Sequence, residues 1–347
     1  MFDSFGVATR EERAQIDVVY TWVDGAADGF QAAMAQAVAT HGAFYKTAPD
    51  ALAVGENRFR DMDLLRYSMR SVEAFFPWAR RIFIVTNGQV PPWLDMDHPR
   101  IRMVPHAEIF PDAGVLPSFN SWAIETCLAR IPGLSRFFLY LNDDFLFGNQ
   151  AKEGDFWGAS GRLKARFREG PMNTDIDHPD RQARCMAFAC ALLNERFGIK
   201  RFRRGFPHVP TLYDRVVLDW IEAQWPLPIR RTRSHRFRNE RDFPLHPVYV
   251  HCLAEIYELN AHDPAMGDLI DVLPGNGGAY IPFGDPDCDV KWRTRHYLEL
   301  RPAYLCINDV AGEVGPIEDD RLHDQHEDIM RFLADYFPEA APWERQV

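Results

Sequence analysis

The chain has 347 residues, 46% of them hydrophobic and 26% charged, and its 39 Lys+Arg against 50 Asp+Glu leave a formal charge of −11. That composition excludes wholesale disorder, and the longest unbroken apolar run, Cys185 to Leu193, is about half of what a bilayer span requires. The length suffices for one large α/β domain or roughly two smaller ones.

Residues 1–15 carry Asp3, Arg10, Glu11, Glu12 and Arg13 and no apolar signal core. A cytoplasmic protein is expected, with peripheral contact to the inner face of the cytoplasmic membrane left open. Val18 to Val23 is β-branched and aromatic and stops at Asp24-Gly25, which predicts a strand and a turn, followed by a helix from Gly29 to Ala39. Leu65, Met69 and Val72 recur at helical spacing, so a helix is expected over 61–73 with Asp61 and Asp63 in its first turn. Ile82 to Val85 reads as a strand buried on both faces, ending at Asn87, and a shorter strand follows at Ile101 to Val104. Ser118 or Asn120 is placed to cap a helix carrying Trp122, Ile124, Leu128 and Ile131, closed by Pro132-Gly133. Phe137 to Leu141 is the most strand-like segment and runs straight into Asn142-Asp143-Asp144.

In the second half, Asp285, Asp287 and Asp289 suit a turn and cap before a helix over 290–298, and a late strand is expected from Tyr304 to Ile307. Ile329, Phe332, Leu333 and Tyr336 mark an amphipathic C-terminal helix within 316–337. The six cysteines are scattered without a Cys-x-x-Cys pair, so buried reduced thiols are expected rather than disulfides or zinc.

The order of elements predicts a Rossmann-like core with a largely parallel twisted sheet flanked by helices, in which ligands gather at the carboxyl ends of the strands. Three strands deliver Asp24, Asn87 and Asn142-Asp143-Asp144 to that edge. Adjacent carboxylates at a strand end suit a hard divalent cation, which in turn binds a diphosphate. With no Gly-x-Gly-x-x-Gly and no P-loop, the pattern points to a nucleotide-sugar site of the glycosyltransferase A type. Residues 14–150 are read as its nucleotide-sugar-binding half and 151–312 as the catalytic and acceptor half of the same core. Charge is uneven: Arg196 to Arg241 holds twelve Lys+Arg against four acids, +8, which leaves −19 elsewhere. A polyanion would be repelled by that remainder, so nucleic acid is not an expected partner.

At this point the residues match a known pattern. Ile16 to Asp24, then Asn57-Arg58-Phe59-Arg60-Asp61, Leu65 to Ser71, Ile82 to Gln89 and Phe138 to Asp144, resemble the first two blocks of the Stealth proteins. Pro207 to Arg215 with His235 to Arg238 and Asp242 is similar to the third block, and Cys306 to Asp309 to the fourth. Stealth proteins are sugar-1-phosphate transferases that include bacterial capsule polymerases and the catalytic subunit of the Golgi N-acetylglucosamine-1-phosphotransferase. The chain departs from the pattern at Leu64, where an acid is usual, and at Val310, where a polar residue is usual.

The resemblance implies transfer of a hexose- or N-acetylhexosamine-1-phosphate from a nucleotide diphosphate sugar, such as a UDP-sugar, to a glycan hydroxyl in capsule or exopolysaccharide synthesis. It implies Mg²⁺ (or Mn²⁺) on Asp143, Asp144, Asn308 and Asp309, with His208 as base or phosphate partner. Arg238, with Arg236 behind it, would clamp the phosphate, and Asp242 would orient them. Tyr20, Thr21, Trp22, Asp24, Arg66 and Asn87 are expected beside the nucleoside. Two alternatives stay open: a metal-dependent glycosyltransferase that releases a nucleoside diphosphate, and a catalytically silent glycan-binding protein.

Overall fold

The computed structural model describes residues 5–41, 54–198, 203–258, 269–274 and 278–345. Its strands are β1 (Ile16–Thr21), β2 (Ala79–Thr86), β3 (Ile101–Pro105), β4 (Phe137–Asn142), β5 (Phe145–Phe147), β6 (Ala165–Arg168), β7 (Thr211–Asp214), β8 (Ile270–Leu273), β9 (Ala279–Phe283) and β10 (Tyr304–Asp309). The main sheet runs β3-β2-β1-β4-β7, parallel except for β7, which pairs antiparallel with β4. A second sheet runs β5-β10-β9, and β6 pairs with β8. The expected mixed α/β core with a largely parallel sheet and flanking helices is therefore present. Residues 16–20 and 137–141 are buried throughout, as central parallel strands demand.

Numbering only helices of five residues or more, α1 is Phe30–His41, α2 Leu64–Phe75, α3 Ser121–Glu125, α4 Arg181–Phe197, α5 Arg215–Gln224, α6 Pro226–Ser234, α7 Leu245–Glu258, α8 Val290–Leu300 and α9 Asp319–Tyr336. Leu65, Met69 and Val72 of α2 join the cluster that buries β1, β2 and β4. Ile329, Phe332, Leu333 and Tyr336 of α9 bury themselves against the second sheet. Asp289 caps α8 by accepting from Trp292 N at 2.9 Å, the role its position suggested. All six cysteines are free and buried. No helix among the described residues is long and apolar enough to cross a membrane.

Two helices differ from expectation, each for a local reason. α2 starts at Leu64, because Asp63 before it sits in the left-handed region (φ 57°), where the helix cannot begin, while Asp61 Oδ1 accepts from Asp63 N. Asp61 and Asp63 are thus outside the first turn. The helix expected through Ile131 stops at Glu125 and resumes as a 3₁₀ turn, Leu128–Arg130. There Thr126 Oγ1 donates to Ala123 O at 2.7 Å and the buried Arg233 guanidinium takes the Thr126 carbonyl, competing with helical bonding.

The C-terminal segment folds back onto α2. Glu344, whose side chain is only 2% exposed, accepts from Arg66 Nε and Arg70 Nε, both at 2.6 Å. Glu344→Ala strands two arginines beside a buried surface and is expected to lower stability by about 2 kcal/mol, read from urea unfolding. A change within a few tenths would show that the contact is incidental.

Candidate active site

Register sets the site. Thr21 of β1 pairs with Val85 of β2 on one side and with Asn142 of β4 on the other, so the three carboxyl ends finish level. A cavity of about 490 Å³ opens there, lined by Thr21, Trp22, Asn87, Asn142, Asp143 and Asp144 from that edge. β4 passes into β5 through Asp143 and Asp144 alone, and β5 pairs with β10, where Ile307 N donates to Asp144 O at 3.0 Å. That exchange of sheets brings Asn308 and Asp309 to the same cavity.

The acidic wall is under electrostatic load. Burial, then the charges of Asp144 and Asp61, push Asp143 well above the usual carboxylate range. Burial raises Asp144 to about 7, although the Cys306 thiol, 3.7 Å from Oδ2, pulls the other way. Burial, with Asp63 and Asp24 nearby, raises Asp61 to about 6. Asp144 Oδ1 is buried without a hydrogen-bond partner. A pair of desolvated carboxylates carrying an orphaned oxygen fits a hard dication, which takes one or two carboxylates and completes its shell from phosphates and water. Asp143, Asp144 and Asn308 suit that donor set. Asp309 suits it less, because Oδ2 accepts from Arg60 at 2.7 Å and Oδ1 from Ala311 N at 3.0 Å. Among the described residues, no three His, Cys, Asp or Glu side chains are gathered to hold a metal by themselves.

An imidazole and a guanidinium line the same cavity. His208 lines the cavity, stacked on Phe206 at 5.9 Å between centroids, with Nδ1 3.9 Å from Cys306 Sγ. Burial, with the Arg168 charge behind it, lowers its pKa to about 4, so the imidazole is neutral at pH 7. Arg238 lines the same space, donates from Nη2 to Ser121 Oγ at 2.6 Å, and lies over the Trp122 ring. Glu125, at the end of α3, also lines the cavity, and burial raises it to about 7 against the pull of Arg238. Glu125 was not among the residues expected here, and Asp61, which acts on Asp143 through its charge, lies outside the cavity lining.

Several expected residues serve elsewhere. Tyr20 is fully buried and its hydroxyl meets Ser68 Oγ at 2.9 Å, because strand alternation turns it away from the side of Thr21. Asp24 Oδ1 accepts from Ala26 N, closing its own turn. Arg66 donates to Glu344 and does not line the cavity, and Arg236 donates to the carbonyls of Pro117 and Gly114. Asp242 is buried outside the cavity wall, where it accepts from Asn120 Nδ2 at 2.7 Å and holds His235 Nδ1 at 2.6 Å, fixing the loop that presents Arg238. Several residues of the basic segment are used within the fold, while Arg196, Arg230, Arg231 and Arg241 are exposed. Arg203 pairs with Glu255, Arg233 with Glu222, and Arg215 with the Leu134 carbonyl, while Lys200 and Arg201 lie outside the described residues.

Fold and site define a mixed α/β protein with an acidic strand-end pocket that His208 and Arg238 also line. Residues 58–165 match conserved region 2 of the Stealth proteins and residues 207–255 match conserved region 3. The chain thus carries both of these Stealth conserved regions, in order along the sequence. It is 33% identical over 334 residues to an exopolysaccharide phosphotransferase of Streptomyces coelicolor, covering 95% of this chain and 51% of that one. An exopolysaccharide phosphotransferase of Nocardia farcinica is 34% identical over 339 residues, at 95% and 61% coverage. Exopolysaccharide phosphotransferase CpsY of Mycobacterium tuberculosis is 32% identical over 343 residues, at 95% and 58%. The chain thus spans about half the length of the curated relatives it matches. Among solved structures, the galactosyltransferase LgtC in complex with donor and acceptor sugar analogs aligns over 90% of this chain and 95% of that one, with 11% identity and a TM-score of 0.35.

Proposed function

We propose that this cavity transfers a sugar-1-phosphate from a nucleotide diphosphate sugar, a UDP-sugar by preference, to a hydroxyl of a glycan acceptor during exopolysaccharide synthesis. The observation that carries the reading is the meeting, in one cavity, of the half-buried Asp143-Asp144 pair with neutral His208 and Arg238. The acceptor oxygen attacks the sugar-bearing phosphorus, and the bond from that phosphorus to the bridging oxygen of the diphosphate breaks. The products are a phosphodiester and a nucleoside monophosphate, and the bond at the anomeric carbon survives. His208 accepts the hydroxyl proton, and the Arg238 guanidinium binds oxygens of the transferred phosphate. Asp143 and Asp144, with Asn308, would hold Mg²⁺ or Mn²⁺, which neutralises diphosphate charge when bound. Glu125 lies within the electrostatic reach of Arg238 and steadies that guanidinium in the cavity. Thr21, Trp22 and Asn87 stand where the nucleoside would enter.

Nucleotide sugars are cytoplasmic metabolites, so we place the reaction in the cytoplasm, at the inner face of the membrane where polymer is assembled. A panel of nucleotide sugars with a glycan acceptor tests the chemistry. The expected result is a nucleoside monophosphate together with a phosphodiester signal in the phosphorus spectrum. Release of a nucleoside diphosphate would instead identify an ordinary glycosyltransferase.

A further inference from the structure

Arg58 holds none of the roles assigned above, yet it lines the same cavity as Arg238. It ends the 3₁₀ turn Glu56–Arg58 that precedes α2. Its Nη2 lies 2.8 Å from Glu313 Oε1, an oxygen that also accepts from Asn57 Nδ2 at 2.7 Å. Two residues on, Arg60 pairs with Asp309. The turn before α2 is therefore strapped to the loop after β10 by two ion pairs at the edge of the cavity. Side chains of the Arg58–Glu313 pair are 23% and 25% exposed, and ion pairs that wet contribute little net stability. After burial, the charge of Arg58 is the next influence lowering the pKa of Arg238, so the two guanidinium groups feel each other across the space. Like charges facing one pocket favour an anion between them.

We propose that Arg58 is a second phosphate-binding guanidinium of the donor site, held by Glu313 until a diphosphate displaces that carboxylate. The proposal rests on the donor reading above. Glu313 offers Arg58 one oxygen that it shares with Asn57, whereas a phosphate offers several oxygens to a bidentate fork and carries more charge. On that ground the strap exchanges partners: Arg58 leaves Glu313 for the diphosphate, and the loop after β10 keeps Arg60 and Asn57 but loses one of its two ion pairs. Glu313 is then a competitor of the substrate, and its removal should favour binding.

Calorimetric titration of the full chain with UDP, GDP, CDP and ADP, each with Mg²⁺, tests this. For whichever nucleotide binds, Arg58→Gln should weaken binding about tenfold or more, the scale of one lost charge-assisted contact. Glu313→Gln should tighten it about threefold, and the double variant should match Arg58→Gln alone. A gain in affinity cannot come from a folding defect, and Arg58→Lys, which keeps charge without the fork, should fall between wild type and Arg58→Gln. Binding that neither single substitution changes, or that Glu313→Gln weakens as Arg58→Gln does, overturns the clamp and leaves the donor reading standing. If the wild-type chain binds none of the four, the donor reading and the clamp fall together.

Discussion

Replacing Asp144 by Asn is expected to lower turnover roughly 10³-fold while raising the melting temperature of the metal-free chain at neutral pH. Both effects come from the same cause. Asp144 is raised by burial from an ordinary 3.8 to about 7, so the folded state disfavours its charged form. The unfolded chain ionises freely above its ordinary value. Stability contributed at this position is therefore greatest at acid pH and falls as pH rises from about 4 towards 7. The isosteric amide removes that penalty, so the gain should be clear at pH 7.5 and should vanish near pH 4. Mg²⁺ or Mn²⁺ should raise the melting temperature of the wild-type chain at pH 7.5 and leave Asp144→Asn unmoved. Wild-type turnover in Asp144→Asn, or an undiminished thermal response to the ion, would remove Asp144 from the site.

The second large effect concerns His208. Its alanine variant should lose about 10²- to 10⁴-fold in kcat, with nucleotide affinity changed by less than a few fold. The imidazole is held neutral down to about pH 4, so His208 should contribute no acid limb to the rate between pH 5 and 7. Should His208→Ala raise Kd for the nucleotide and spare kcat, His208 would be a phosphate ligand and not the proton acceptor.

Much of the framework can be read from local sequence, because β-branched and aromatic runs that end in Asp or Asn mark buried parallel strands and the edge where they stop. Phe137 to Asp144 is the plainest case, and its carboxylates do line the cavity. Alternation explains why Thr21 belongs to the cavity and Tyr20 does not. What stays hidden depends on distant partners. Arg66 looks like a ligand-binding arginine beside a helix start, but its partner is Glu344, 278 residues away. Asp61 resembles a helix-dipole acid until the left-handed Asp63 turns the chain and places it near Asp143.

Glu125 did leave a signal. It falls three residues after Trp122, within an otherwise apolar run, and a carboxylate at a core-facing position is itself a sign of function. The helix containing it was expected to continue through Ile131, and Glu125 was not singled out on it. The break at Thr126, driven by Arg233 from more than a hundred positions later, lay beyond local propensity.

The two-residue passage from β4 into β5 makes Asp143 and Asp144 a rivet between the two sheets. Main-chain geometry at that point is dictated from both directions, by five strands behind it and three ahead. Neither layer can melt or slide without dragging the carboxylates apart, so the chemistry cannot outlive either half of the architecture. The protein thereby places two mutually repelling carboxylates on backbone held by sheet pairing from both sides, where their repulsion cannot simply swing the chain open.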